Sequence, residues 1–338
     1  MGTKIADLFE AQQITLDDLR GKTLVVDTYN QLYMYLATIR QPDGSLLVDS
    51  KGQVTSHLSG LFFRFTNLMK HGVNFIFVFD GKPPDLKRKE QERRKTLKEE
   101  AAARYDAAKK EGDVAGMRKY AQRTSKLTPD MLVDAKRLIA ALGFPVVQAP
   151  SEGEAQAAHI VSAGKAHAIL SQDADSFLFG APRVIKNLTI SQRRKKANAL
   201  SYEPIQPELI SLKDNLARLN ITREQLILMA LLTGTDFNIG GIKGIGPKKA
   251  YDLITKHVRP EDAFIEAQWD EHMDVSWKEL LNLFVHMPVE ENVDLSFASV
   301  NAAEVKRVLL EHDFTQERID KALADIMKPK HDSLSRWL

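Results

Sequence analysis

Four short apolar runs in this chain each end at or just before a carboxylate. Leu24-Val25-Val26 runs into Asp27, Phe75-Ile76-Phe77-Val78-Phe79 into Asp80, Val146-Val147 precedes Glu152, and Ala168-Ile169-Leu170 precedes Asp173. Unbroken apolar runs of this length read as parallel strands buried on both faces. They predict an α/β fold with a mostly parallel central sheet flanked by helices. In such sheets ligands gather outside the carboxyl ends of the strands. Glu154 and Asp175 lie two residues beyond Glu152 and Asp173. Each acidic run has a plainer reading: Ser151 with Glu154 spells a helix capping box, and Asp173-Ala174-Asp175 could close an ordinary turn. On one shared edge, however, that many carboxylates cannot all stay ionised without cations. A divalent metal site is the expectation.

Composition sets the outer limits. At 338 residues the chain can bury a sizeable core. Its net charge is only +2, so the placement of basic residues, not their total, must speak for a polyanionic partner. The absence of cysteine excludes a disulfide framework, thiol catalysis and cysteine-ligated zinc. Residues 1–7 lack the apolar core of a signal peptide, Ala6 breaks the myristoylation pattern, and no apolar run approaches ~20 residues. An intracellular protein with no membrane contact is expected.

Between Lys82 and Lys98 the sequence carries eight basic residues against three acidic ones, Asp85, Glu90 and Glu92. Good helix formers continue to about residue 128 with hardly an apolar stripe, the pattern of a solvated helical insertion. Because this stretch begins directly after Asp80, its first turns must lie over the carboxylate edge. Lys87 and Arg94 are seven residues apart and share a helical face, where they could hold a phosphate. Tyr33, six residues past Asp27, can reach the same place, although a tyrosine on an amphipathic helix is more often core. Within the acidic run, Glu152 and Glu154 cannot face each other on a helix. Glu152 is therefore expected just ahead of the helix and Glu154 in its first turn. Arg193-Arg194-Lys195-Lys196 reads as a solvated loop or hairpin.

An apolar helix over residues 225–233 is followed by Gly234-Thr235-Asp236 and then Gly240-Gly241-Ile242-Lys243-Gly244-Ile245-Gly246-Pro247-Lys248-Lys249-Ala250. Pro247 stands where a Walker A loop needs lysine, and a helix rather than a strand comes first, which excludes a Rossmann fingerprint. The run resembles a helix-hairpin-helix: Gly244 and Gly246 let backbone approach a phosphate, the next helix aims N–H groups at it, and Lys248 and Lys249 stand alongside. At the C-terminus, Leu334, Trp337 and Leu338 sit on a polar leash and read as a docking peptide.

Taken in order, these markers resemble the flap endonucleases of the structure-specific 5′ nuclease superfamily, most closely the archaeal members, over essentially the whole chain. They are the strand ending at Asp27, Phe79-Asp80-Gly81-Lys82-Pro83-Pro84, Pro150-Ser151-Glu152-Gly153-Glu154-Ala155, Ser171-Gln172-Asp173-Ala174-Asp175, Gly234-Thr235-Asp236 and the glycine hairpin. The resemblance implies a PIN-like nuclease core over residues 1–327, made of residues 1–81, a helical arch over 82–128, and residues 129–327 with a helix-two-turn-helix at 234–257. Residues 328–338 would form a clamp-binding tail.

The resemblance further implies a two-metal enzyme. It would use two Mg²⁺, with Mn²⁺ as a substitute, held by Asp27, Asp80, Glu152, Glu154, Asp173, Asp175 and Asp236. Of these, Asp80, Glu154, Asp173 and Asp175 are expected closest to the ions. Lys87 and Arg94 would be the arch cations, and Tyr33 the base-stacking tyrosine. Gly2 matches the N-terminal glycine, and a one-nucleotide 3′ flap would be read near Thr55, Arg64 and Arg40. A K⁺ ion would sit at the hairpin. The tail would bind a sliding clamp of PCNA type, with His331 in place of the usual glutamine. Expected substrates are 5′ flaps, double flaps and nicked duplex, cut by a monomer as endonuclease and 5′-3′ exonuclease in replication and repair. Two rivals are a non-catalytic junction-binding scaffold that docks to the clamp and an aspartate-nucleophile phosphatase. The first gains nothing from clustered carboxylates that repel DNA, and the second has no use for the glycine hairpin.

Overall fold

The structure, a computed structural model, describes residues 3–121, 124–188, 193–195 and 202–327. Strands in chain order are β1 (Gln12–Gln13), β2 (Thr23–Asp27), β3 (Asn74–Phe79), β4 (Val146–Gln148), β5 (Ala168–Leu170), β6 (Arg183–Lys186), β7 (Arg193–Lys195), β8 (Tyr202–Pro204) and β9 (Glu208–Ser211). Seven of them form one sheet in the order β1-β9-β6-β5-β2-β3-β4. The five from β6 to β4 run parallel, and β9 and β1 are added antiparallel at one edge. β7 and β8 pair as a separate antiparallel ribbon that includes Arg193–Lys195, in keeping with the hairpin reading.

The helices are α1 (Thr28–Thr38), α2 (Ser56–Lys70), α3 (Arg88–Glu111), α4 (Val114–Ala121), α5 (Pro129–Ala141), α6 (Gly153–Ser162), α7 (Leu212–Leu219), α8 (Arg223–Thr233), α9 (Pro247–Lys256), α10 (Pro260–Glu266), α11 (Trp269–His272), α12 (Trp277–Val285), α13 (Ala302–Leu310) and α14 (Gln316–Met327). Successive strand residues point to opposite faces, and the sheet uses both. Val25, Ile76, Val78 and Ile169 pack with Ala157 of α6, Ile227 of α8 and Leu253 of α9. Leu24, Val26, Phe75, Phe77 and Leu170 pack with Phe65 of α2, Leu138 of α5, Val308 of α13 and Leu323 of α14. Burying each such side chain contributes roughly 1.5–3 kcal/mol. Because both faces are covered, the strands carry apolar residues throughout, and the polar groups concentrate at their ends.

α3 departs from this pattern. Of its 24 residues only Glu90, Ala101 and Ala108 are buried. It packs on α4 through the turn at Gly112, whose φ of +70° is left-handed. The helical insertion expected over 82–128 is present as a short turn at Asp85–Lys87 followed by α3 and α4. No helix among the described residues is long and apolar enough to cross a membrane.

Candidate active site

The four neighbouring parallel strands β5-β2-β3-β4 end together, and the acids sit where they end. Asp27 is the last residue of β2 and caps α1, its Oδ1 accepting the Asn30 backbone N–H at 3.1 Å. Asp80 follows β3, and its Oδ1 accepts the Gly153 N–H at 2.8 Å. Glu152 is the N-cap residue of α6, and Glu154 lies in its first turn, as the spacing predicts. The capping box is not formed. Glu152 makes no side-chain cap bond, and the Ser151 hydroxyl instead donates to the Lys82 carbonyl at 3.1 Å. The sequence pattern was satisfied by a contact across the site that holds the start of the arch.

After β5, Asp173 accepts from the Asn30 side-chain amide at 2.8 Å, and Asp175 accepts the Thr3 backbone N–H at 2.6 Å. The Ser171 hydroxyl donates to Asp27 at 3.3 Å. Asp236 follows α8 and meets the group through Lys87 and Arg94. Lys87 Nζ lies 2.5 Å from Glu152 Oε2 and 3.4 Å from Asp236 Oδ2, and Arg94 Nη2 donates to Asp236 Oδ1 at 2.6 Å. Thr3, Lys87, Glu152, Glu154, Asp175 and Asp236 line one crevice together with Phe179, Phe237 and Phe284. A larger groove of about 650 Å³ at the β1–β9 edge includes none of these acids.

Burial and mutual repulsion dominate the electrostatics of the acids. Burial, then the neighbouring Asp80 and Asp173 charges, pushes Asp27 up to about 7. Burial, with Asp173 and Asp236 adding to it, raises Asp175 to about 6. Burial and three neighbouring aspartates hold Glu154 well above the ordinary carboxylate range, and burial raises Asp80 and Glu152 as well. Burial alone would lower the Lys87 ammonium; the Glu152 and Asp236 carboxylates outweigh it and raise it. Among the described residues no three acidic or histidine side chains form a ready-made metal cage. The donor set nonetheless fits a divalent ion. Several desolvated carboxylates share two arch cations, and an ion that keeps some of its waters needs no complete protein cage.

The remaining expected residues fall around this edge. Tyr33 on α1 is 37% exposed, with Lys98 Nζ 4.5 Å from its ring centroid, so α3 passes above it. Arg40 donates to the Gly44 carbonyl and to the Ser125 hydroxyl, each at 2.8 Å. Thr55, ahead of α2, is buried, and Arg64 donates to the Leu188 carbonyl with its guanidinium near the Tyr35 ring. In the hairpin, a Cβ on Gly241 would meet the Thr233 backbone carbon at 2.3 Å, whereas Gly244 (φ +85°) and Gly246 face open space. α9 begins after Gly246 with no side-chain cap, and Lys248 and Lys249 are exposed beside it. Gly2, His331, Leu334, Trp337 and Leu338 lie outside the described residues. Thr3, Asn30, Ser171 and Glu90 were not anticipated. Asn30 and Ser171 had a signal in their proximity to Asp27 and Asp173; Thr3 reaches Asp175 across 172 residues and had none.

Two family profiles cover this geometry. One described as the XPG N-terminal domain matches residues 4–101, and one described as the XPG I-region matches residues 143–236. The first spans Asp27, Asp80, Lys87 and Arg94, and the second spans Glu152, Glu154, Asp173, Asp175 and Asp236. Flap endonuclease 1 of Staphylothermus marinus is 45% identical over 333 residues, covering 97% of this chain and 95% of its own. This chain belongs to the flap endonuclease family. Flap endonuclease 1 of Pyrococcus abyssi is 44% identical and covers 100% of this chain and 98% of its own. The solved flap endonuclease-1 from Methanococcus jannaschii superposes with a TM-score of 0.75 at 37% identity, covering 96% of this chain and 98% of that one. The flap endonuclease described here is thus a structure-specific nuclease, a hydrolase of DNA, with the mixed sheet and flanking helices of its family.

Proposed function

We propose that the carboxylate edge is the metal-loaded reaction centre of a Mg²⁺-dependent 5′ flap endonuclease and 5′-3′ exonuclease acting in replication and repair. The observation that carries this reading is the convergence of Lys87 and Arg94 on Glu152 and Asp236 beside a desolvated acidic set. Asp27, Asp80, Glu152, Glu154, Asp173, Asp175 and Asp236 would hold two divalent ions, Mg²⁺ or in its place Mn²⁺. When bound, such a pair supplies an activated water and charge for the departing 3′ oxygen.

The chain's own groups do the rest. Lys87 and Arg94, already aimed at the acids, would turn to the scissile phosphate as it arrives and offset charge building on its oxygens. The Asn30 amide and the Thr3 N–H hold Asp173 and Asp175 in place, and the Gly153 N–H does the same for Asp80. Tyr33, exposed under α3, would stack a base at the branch point. The open backbone at Gly244 and Gly246, with Lys248 and Lys249, suits duplex phosphates and, with K⁺, non-specific grip. A short 3′ flap would be read near Arg40, Thr55 and Arg64, and the C-terminal segment at His331, Leu334, Trp337 and Leu338 would dock on a sliding clamp.

Asp175→Ala tests the centre. Cleavage of a 5′-flap DNA should fall by orders of magnitude while junction binding survives. Loss of both to the same degree would overturn the metal-ligand assignment.

A further inference from the structure

Glu90 is the one charged residue of α3 that is buried, at 3% exposure, in a helix otherwise almost wholly solvated. Its carboxylate is fully engaged by two arginines of the following turn. Arg93 donates from Nε to Oε2 at 2.7 Å and from Nη2 to Oε1 at 2.8 Å, and Arg94 donates from Nε to Oε1 at 2.6 Å. Burial would raise the Glu90 carboxyl, but the hydrogen bonds from Arg93 and Arg94 outweigh it and hold it below its usual range. Glu90 is therefore a fixed anion. Arg94 divides one edge of its guanidinium between two partners: Nε faces Glu90, and Nη2 faces Asp236.

We infer that Glu90 is a positioning residue: its bond to Nε orients the Arg94 guanidinium plane, so that Nη2 exchanges Asp236 for the scissile phosphate with little reorientation. An arginine on a solvated helix loses side-chain rotamer freedom when it is fixed in one geometry. A bond at Nε that exists before DNA arrives has already restricted the side-chain dihedrals, so the rigid guanidinium has little left to reorient. Arg93 completes the unit: with Glu90 bracketed by two guanidiniums the cluster keeps a net positive charge, so orienting Arg94 does not turn the arch acidic over the phosphate. A plain helix staple would also place Glu90 between residues three and four positions on. It would not require the carboxylate to be buried or Arg94 to reach a second acid on another element.

The inference rests on the proposed role of Arg94, and the test separates the two. Single-turnover cleavage of a double-flap DNA is measured with saturating full-length enzyme and Mg²⁺, and DNA affinity is measured separately, for Arg94→Ala, Glu90→Ala, Glu90→Gln and the Glu90→Ala/Arg94→Ala double variant. Arg94→Ala should slow the reaction on the order of a hundredfold. Glu90→Ala should slow it on the order of tenfold with affinity unchanged. The double variant should be no slower than Arg94→Ala alone, and Glu90→Gln, which keeps an acceptor of the same shape, should recover part of the rate. If Arg94→Ala is slow but Glu90→Ala matches wild type, or if the two losses multiply, Glu90 does not act through Arg94 and the inference fails while the arch reading stands. If Arg94→Ala itself is fast, the reading of Arg94 fails first.

Discussion

Asp80 Oδ1 accepts the backbone N–H of Gly153 at 2.8 Å, which joins the end of β3 to the start of α6. A Cβ built on Gly153 would lie 2.5 Å from that same oxygen, closer than packed atoms tolerate. Glycine is thus needed at this position for the carboxylate's approach to the helix, not for an unusual φ. Gly153→Ala should displace Asp80, reduce flap cleavage on the order of a hundredfold through misplacement of a ligand, and cost about 1–3 kcal/mol by overcrowding. Wild-type cleavage with an unchanged melting temperature would show that Asp80 can move without consequence.

The acidic edge should make metal binding and stability depend on pH together. Asp27 is pushed up to about 7 and Asp175 to about 6, chiefly by burial. Carboxyls with raised folded-state pKa values favour the fold while protonated. That contribution is complete below the unfolded value near 4 and is lost as pH rises through 6 to 7. A divalent ion would replace the missing protons. Without metal, the melting temperature should fall between pH 5 and pH 8; with Mg²⁺ the fall should flatten, so that the metal-induced rise is larger at pH 8 than at pH 5.5. Equal rises at both pH values would place the metal elsewhere.

His57 gives a separate acid limb. It is buried on α2, and neither ring nitrogen has a hydrogen-bond partner among the described residues. Burial, then the charge of His312, lowers it to about 4. His312 itself bridges Asp49 at 3.0 Å and Asp134 at 3.2 Å. A histidine depressed in this way favours the fold above its unfolded value near 6.5. The advantage is lost as pH falls toward 4, by roughly 3 kcal/mol. Denaturation of His57→Met should therefore lose stability less steeply between pH 6.5 and 4 than wild type. An unchanged acid limb would assign the loss to other groups.

The C-terminal segment should act on partners, not on chemistry. Removing residues 334–338 should abolish binding to a PCNA-type clamp and leave cleavage of isolated flap DNA at its full rate. Restoring glutamine with His331→Gln should tighten the clamp complex. A truncated chain that still binds the clamp would move the contact to another surface.

Much of the fold was written in the strands. Leu24–Val26 and Phe75–Phe79 are apolar on both faces because helices cover both, and that pattern survives in one dimension. The positions of Glu152 and Glu154 were legible for a similar reason, since helix geometry allows few arrangements for acids two residues apart. Less could be read where a contact is decided by distant chain. Ser151 carries a capping signal, yet its hydroxyl serves the Lys82 carbonyl. Nothing near Thr3 shows that its N–H will meet Asp175. Glu90 reads as one more charge in a basic run, because composition does not record that it is buried or that Arg93 and Arg94 both turn to its carboxylate. Asp236 entered through family resemblance alone; the structure shows the arch arginine and lysine that bring it to the other acids.

Metal-dependent cutting at a junction by the carboxylate edge is the activity proposed for this chain. The most direct measurement presents the enzyme with a double-flap DNA carrying a long 5′ flap and a one-nucleotide 3′ flap, once with Mg²⁺ and once with EDTA. The 5′ flap should be released at a single position near the junction with Mg²⁺ and not with EDTA. DNA that is bound tightly yet left intact with both Mg²⁺ and Mn²⁺ would contradict it.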